Sequence, residues 1–194
     1  MNIYDIVAAG QVMPVIVIDR ASDAVALGNA LLEGGIKTAE VTLRTPQALV
    51  AIEAMATACP ELMVGAGTVL NAEHARQVRD AGGCFAVSPG ATDALIQGCA
   101  DTDLPLLPGA SSVSEVMRLG EKGFFMLKFF PATAAGGLPL SRRWQARCHN
   151  FSFVQQAALR LRRHQTGWHW RIFPVWGAAG LPRKPLSLNR IFPQ

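Results

Sequence analysis

The sequence of 194 residues is half hydrophobic and 16% charged, which is typical of one globular domain with a sizeable core. It has no apolar run of about 18 residues that would predict a transmembrane helix, and no export signal is visible. The four cysteines share no C-x-x-C spacing, which argues against a zinc site or a disulfide framework and favours reduced thiols in a cytoplasmic protein.

Charge is distributed unevenly along the chain. Residues 1–140 hold 8 basic and 14 acidic residues, a net charge of −6, whereas residues 141–194 hold 10 basic residues and no acidic one. A basic protein can be a nucleic-acid binder. Because the basic excess lies entirely in the last segment, that inference does not extend to the whole chain.

Short apolar runs rich in β-forming residues recur along the chain, with starts roughly 20 to 25 residues apart. Near-continuous apolar runs of this kind are typical of parallel strands that are buried on both faces. The six predicted strands are Pro14–Asp19, Ala39–Arg44, Leu62–Gly67, Cys84–Gly90, Leu104–Gly109 and Phe125–Ala132.

Helix-like stretches separate these strands. The first is Ser22–Leu32, with Ser22 as a candidate N-cap and glycines after its end. Four more helices begin at residues that suit a cap or a first turn, which are Pro46, Asn71, Thr92 and either Ser112 or Ser114.

The alternation of strands and helices predicts an α/β fold built from βα units. Six units fit in about 132 residues, and a (β/α)₈ TIM barrel needs two more from the remaining 62. A doubly wound sheet would require a glycine-rich phosphate loop after the first strand, but the residues Arg20 to Ser22 include no glycine. The barrel is therefore the favoured fold.

The functional groups of a parallel barrel lie at the C-terminal ends of its strands. Lys128 interrupts the apolar run FFMLKFFPA, Phe124–Ala132. Burial lowers the pKa of a lysine, and a neutral amine can form a Schiff base with a carbonyl compound. The protonated imine permits carbon–carbon cleavage, with Glu40 as the proton shuttle, and Arg44 and Thr68 could hold a substrate carboxylate.

Structural interpretations of the same residues remain open at this point. Lys128 could be a snorkelling or salt-bridged residue, and Glu40 could form an ion pair with Arg44. Gly65 and Gly67 could contact a phosphate group, but two glycines at this spacing are also typical of a tight turn. The phenylalanines beside the lysine, Phe129 and Phe130, are typical of core packing.

Five segments together resemble the 2-keto-3-deoxy-6-phosphogluconate (KDPG) / 4-hydroxy-2-oxoglutarate (KHG) aldolase family. The likeness covers about residues 10–138. The segments are GGIKTAEVTLRT (Gly34–Thr45), VGAGTVLN (Val64–Asn71), FAVSPG (Phe85–Gly90), LPLLPGASSVSE (Leu104–Glu115) and GFFMLKFFPATAAGG (Gly123–Gly137).

The resemblance implies a class I aldolase on a (β/α)₈ barrel, a cytoplasmic homotrimer of the Entner–Doudoroff pathway that uses no metal and no other cofactor. Its substrate would be a small 2-keto acid, either KDPG, which gives pyruvate and glyceraldehyde 3-phosphate, or KHG, which gives pyruvate and glyoxylate. The implied site residues are Lys128 as the Schiff-base lysine, Glu40 as the general acid/base, Arg44 and Thr68 at the substrate carboxylate, and Pro89 and Phe130 as pocket lining.

The resemblance stops after Gly137. Residues 1–138 are expected to form the first six βα units, and residues 139–194 are expected to be an aberrant basic tail in place of the last two. The family's Pro-Thr-Gly-Gly and Gly-Gly-Ser loops, whose backbone N–H groups bind the substrate phosphate, are absent from the tail. Their loss is expected to impair the phosphorylated substrate most.

A shift of the reading frame between about Gly136 and Ser141 would explain the tail. With suitable codons, an offset of two bases converts Ser152–Leu159 into Phe-Cys-Pro-Thr-Gly-Gly-Ile, and Val175–Pro182 into Val-Gly-Gly-Ser-Trp-Leu-Ala. Six βα units cannot close the ring of eight strands that forms the barrel. We therefore expect open edges beside the first and sixth strands, and an unstable, poorly active chain.

Two functions therefore stand, an aldolase or a non-catalytic remnant of one. A basic tail that binds nucleic acid or an anionic surface is a further alternative. Salt-dependent retention on DNA would favour it.

Overall fold

In the computed structural model, parallel strands alternate with helices up to residue 129, as the sequence pattern predicts for a (β/α)₈ barrel. The last two described strands pair antiparallel with each other. The structure describes residues 1–10, 12–132, 134–135, 140, 143–144, 150–154, 158–164 and 167–171.

One helix precedes the first predicted strand, and the others lie between successive predicted strands. The helices are α1 (Ile3–Ala9), α2 (Ala24–Glu33), α3 (Ala48–Ala58), α4 (Ala72–Asp80), α5 (Asp93–Asp101) and α6 (Val113–Glu121), with a short 3₁₀ helix at Ala21–Asp23. The strands are β1 (Val15–Ile16), β2 (Thr38–Thr42), β3 (Met63–Gly67), β4 (Ala86–Val87), β5 (Leu106–Leu107), β6 (Gly109–Ala110), β7 (Met126–Phe129), β8 (Ser152–Val154), β9 (Ala158–His164) and β10 (Gly167–Arg171).

Three of the predicted helix caps are confirmed. The side chains of Asn71, Thr92 and Ser112 each accept a hydrogen bond from the backbone N–H three residues later, at 2.8, 3.2 and 3.3 Å. The prediction that Ser22 is a cap was wrong, because it lies inside the 3₁₀ helix and Asp23 is the residue before α2. Helix α1 was not predicted, although Asn2 and Asp5 form a capping box at its start.

The strands form two sheets. One has the order β10-β9-β1-β2-β3-β4-β5, and the other has the order β6-β7-β8. The strand predicted over Leu104–Gly109 is divided at Pro108 into β5 and β6, since proline has no N–H to continue a ladder. The chain itself therefore joins the two sheets at Pro108.

The expectation of open edges beside the first and sixth strands was wrong. Strand β8 pairs in parallel with Met126–Lys128 of β7, and Ala158–Leu159 of β9 pair in parallel with Val15–Ile16 of β1. Both partners come from the residues after Gly137, where the sequence motifs end. The physical reason is that backbone N–H and C=O groups at a strand edge need partners whatever the side chains are.

Three clusters of buried apolar side chains pack against the strands. An inner cluster gathers buried residues from β4, β5, β7 and β8 with Ile6 and Val7 of α1, so it fills the interior of the ring. An outer cluster lies between the first sheet and helices α2 to α5. A third cluster packs β6, β7 and β8 against α6 and Trp144. Within the residues that the structure describes, no helix is long and apolar enough to cross a membrane.

Candidate active site

Lys128 lies in the middle of β7 with only 6% of its surface exposed. Its backbone N–H donates a hydrogen bond to the Pro108 carbonyl at 2.8 Å, and its Cα lies opposite Gly109 of β6. Strand alternation puts its side chain on the face of Met126, which belongs to the inner cluster. The amine therefore projects into the ring and not toward water, and the snorkelling interpretation was wrong.

Glu40 lies in the middle of β2, on the other sheet, with 1% of its surface exposed. The curvature of the ring brings its Oε1 to 3.9 Å from the Nζ of Lys128. This distance is at the outer limit for an ion pair and is longer than a hydrogen bond. The salt-bridge interpretation of Lys128 thus holds in part, but the contact lacks the direct hydrogen bonding that makes a buried pair favourable.

The environment of Lys128 disfavours the charged form of its amine relative to a lysine in water. Burial lowers the pKa of its amine below the ordinary value of 10.5. The charge of Glu40 opposes this effect, and the charge of Arg44 adds to it. Arg44 is exposed just beyond the C-terminal end of β2, so it lies at the rim of the ring.

Thr68 has a backbone conformation that a β-branched residue rarely adopts, with φ of 61°. It is held on both sides, because the Gly67 carbonyl accepts from the N–H of Leu43 at 2.9 Å and the N–H of Val69 donates to Val87 at 3.1 Å. A conformation of this kind costs of order 1–3 kcal/mol and is found preferentially at functional sites. It places Thr68 directly after β3, at the same rim as Arg44.

Pro89 and Phe130 complete the set of predicted residues. The ring centroid of Phe130 lies 4.9 Å from the Nζ of Lys128. Phe130 is partly exposed, so core packing was the wrong interpretation for it, whereas Phe129 is fully buried and packs in the core. Pro89 follows β4, and its carbonyl packs so closely on Gly109 that no Cβ would fit there.

The sequence interpretation missed Gly109, which separates Pro89 from Lys128. The available signal was a glycine inside a strand, since such a glycine often marks a close approach of two backbones.

The opposing effects of Glu40 and Arg44 can be separated by measuring the reactivity of Lys128 toward trace acetic anhydride as a function of pH. We expect a midpoint below 10.5 for Lys128. Glu40→Gln removes the charge that raises the pKa and should move the midpoint to lower pH. Arg44→Gln should move it to higher pH. The exposed Lys37 is the internal control, and shifts of the same sign in both variants would contradict this account.

A model of the KDPG and KHG aldolase family matches residues 3–160. The chain belongs to this family. The match extends beyond the motifs at both ends and takes in β8.

Curated members of the family are similar over about two thirds of this chain. The KHG/KDPG aldolase of Escherichia coli strain K12 is 47% identical over 133 residues, which are 69% of this chain and 62% of the relative. The 2-dehydro-3-deoxy-phosphogluconate aldolase of Pseudoalteromonas atlantica is 47% identical over 134 residues, with the same two shares. The chain thus spans less than two thirds of the length of these curated relatives.

Solved structures of the family share the fold. The KDPG aldolase of Zymomonas mobilis ZM4 with 3-phosphoglycerate is 40% identical and matches with a TM-score of 0.76. The matched region covers 79% of this chain and 73% of the Zymomonas chain. The Legionella pneumophila KDPG aldolase, with pyruvate captured as a covalent carbinolamine, is 42% identical, with coverages of 78% and 73% and a TM-score of 0.75.

Proposed function

We propose that this chain is a class I aldolase, a carbon–carbon lyase that cleaves KDPG to pyruvate and glyceraldehyde 3-phosphate, and also KHG to pyruvate and glyoxylate. The observation that carries the proposal is the buried Lys128, with a lowered pKa and a carboxylate 3.9 Å from its Nζ. A buried lysine costs free energy, and this cost is expected where the amine has to be a nucleophile.

In the proposed reaction, the neutral Nζ of Lys128 attacks the C2 carbonyl of the 2-keto acid and forms a carbinolamine. Loss of water gives a protonated imine, which accepts the electron pair of the C3–C4 bond as that bond breaks. Glu40 takes the proton of the C4 hydroxyl, so that the aldehyde product leaves. Glu40 then returns a proton to C3 of the enamine, and water releases pyruvate from Lys128.

The other four residues orient the substrate in this proposal. Arg44 and Thr68, at the ends of β2 and β3, bind the carboxylate next to the keto group, and the guanidinium makes a two-pronged contact. Pro89 and Phe130 line the pocket. Phe130 lies against the reactive nitrogen and limits the approach of water to it.

Trapping with borohydride tests the proposal directly. Incubation of the chain with pyruvate and borohydride should add the reduced pyruvate group to Lys128, identified by peptide mass spectrometry. Lys37 and Lys122, which are exposed, are the internal controls. A folded sample that is labelled at these lysines but not at Lys128 would refute the Schiff-base role.

The tail makes a non-catalytic remnant the second candidate. The segments in which an offset frame would restore the two phosphate loops include residues 155–157 and 175–182, which lie outside the described residues. Weak turnover of KDPG together with intact trapping of pyruvate would indicate a chain that has kept the pyruvate half of the site. Sequencing the gene across the codons for residues 136–141 tests the frameshift itself.

We further propose a cytoplasmic homotrimer that binds no nucleic acid. Cys59, Cys84 and Cys99 are free thiols in the part of the chain that the structure describes, which suits a reducing compartment. Val113 and Met117 are exposed one turn apart on α6, and apolar side chains on one helix face suit contact with another subunit.

A further inference from the structure

We propose that Gly67 is a positioning residue, because its missing side chain leaves the space in which the carboxylate of Glu40 reaches Lys128. This inference rests on the proposed function. Gly67 is the last residue of β3 and lies opposite Thr42 of β2. Strand β3 pairs with β2, which carries Glu40. The carboxylate of Glu40 occupies the space beside the Cα of Gly67.

The argument starts from what a methyl group at position 67 would meet. A Cβ built on Gly67 would lie 2.6 Å from Cδ and 2.7 Å from Cγ of Glu40, and closer still to Oε1. These separations are well inside van der Waals contact. The backbone of Gly67 is not in the left-handed region that favours glycine, so space, and not conformation, is the reason for a glycine here.

A flexible side chain on the surface would simply turn away from such a methyl group. Glu40 is almost completely buried, however, and its neighbours are packed. Displacing its carboxylate therefore moves Oε1 away from its present position 3.9 Å from Nζ. Alanine at position 67 should thus act on the proton shuttle without touching Lys128 itself.

The chain supplies a matched control two residues earlier. Gly65 lies on the same face of β3, but a Cβ there would lie 2.5 Å from three ring carbons of Phe85, which belongs to the inner cluster. Alanine at position 65 should therefore disturb the packing of the core. The two glycines differ in what covers them, which is a core ring in one case and the carboxylate in the other.

The first test compares the two alanine variants. For Gly67→Ala we expect the exchange of pyruvate methyl protons with deuterated water to fall by about 100-fold or more, the range for loss of a positioned acid/base. We also expect its midpoint of Lys128 acetylation to move to lower pH, as in Glu40→Gln. For Gly65→Ala we expect a lower melting temperature and an unchanged midpoint. A wild-type midpoint and exchange rate in Gly67→Ala would overturn the inference.

A double-mutant cycle keeps the inference testable if Gly67→Ala alone folds poorly. In a Glu40→Ala background the three atoms nearest to the new methyl group are gone. Gly67→Ala should therefore lower the melting temperature of the wild type but change that of Glu40→Ala by less than about 2 °C, roughly the effect of half a kcal/mol. Equal losses in both backgrounds would overturn the inference. Failure of wild-type trapping would count against the aldolase proposal only, since acetylation and melting need no catalysis.

Discussion

Replacing Lys128 with methionine should abolish cleavage of KDPG and KHG and should leave no adduct after treatment with pyruvate and borohydride. The expected loss exceeds the roughly 10²–10⁴-fold that a positioned acid or base contributes, because the covalent route itself disappears. Methionine has a similar length and suits a buried position. The matched control is Lys37→Met, which changes an exposed lysine beside β2 and should retain full activity. Residual trapping in Lys128→Met would place the imine on another lysine.

The burial of Lys128 should also make the free energy of unfolding depend on pH. The folded-state pKa of Lys128 lies below the value of 10.5 that applies when the lysine is solvated. The unfolded chain therefore binds more protons, and the free energy of unfolding should rise with pH up to about 10.5. Lys128→Met combined with Glu40→Met should lack this contribution. We expect the double variant to be at least as stable as wild type at pH 7, since replacement of a whole buried ion pair by hydrophobic residues of similar volume is often neutral or stabilising by about 1–4 kcal/mol.

Replacing Trp144 with alanine should lower the free energy of unfolding by about 3–5 kcal/mol, the usual range for a buried tryptophan. Trp144 is 8% exposed, and its ring packs edge-on against Phe129 at 5.3 Å and near Phe153 at 6.0 Å between centroids. Phe129 belongs to β7, next to the reactive lysine. The substitution therefore tests whether the segment after residue 138 contributes to the core of the barrel.

Arg143→Ala is the matched control for this experiment. Arg143 precedes Trp144 in the chain and is exposed, so its loss should change the free energy of unfolding by no more than about 0.5 kcal/mol. Urea denaturation monitored by circular dichroism would measure both variants. Equal midpoints for Trp144→Ala and Arg143→Ala would show that the indole does not stabilise the folded chain.

Much of the barrel could be predicted from the sequence because local patterns specify it. The apolar runs located all six strands, and the capping residues located the starts of α4, α5 and α6. The lengths of the strands could not be predicted, because a ladder ends where the curvature of the ring ends it. Thus β1 and β4 are two residues long within runs of six and seven.

Strands β8 and β9 were not predicted for a different reason. Strand β8 is three residues long, and β9 has only a short alternation of leucine and arginine, which was not interpreted as a strand. The two strands pair with β7 and β1 through the backbone. Side-chain patterns report on burial, but they do not report on an edge that accepts any extended segment. Whether residues 1–138 form a domain separate from the tail stays a prediction.

The candidate site was predicted as a set of residues but not as a geometry. Chemical type and strand position were enough to select Lys128 and Glu40. The separation of 3.9 Å depends on the closure of the ring, which no local pattern encodes. The space over Gly67 was missed because its glycine was interpreted as part of a tight turn. Glycines two residues apart on one strand share a face, and that spacing was the signal.

The division of the strands at Pro108 has a consequence for any attempt to transplant this chemistry. Glu40 stands on one sheet and Lys128 on the other, and the same proline that separates β5 from β6 accepts the backbone hydrogen bond of Lys128. A hairpin or a single βα unit that carried either residue would hold only half of the pair. Glu40 and Lys128 come together only when both sheets are assembled. A transplant of this chemistry would therefore have to include the ring as a whole.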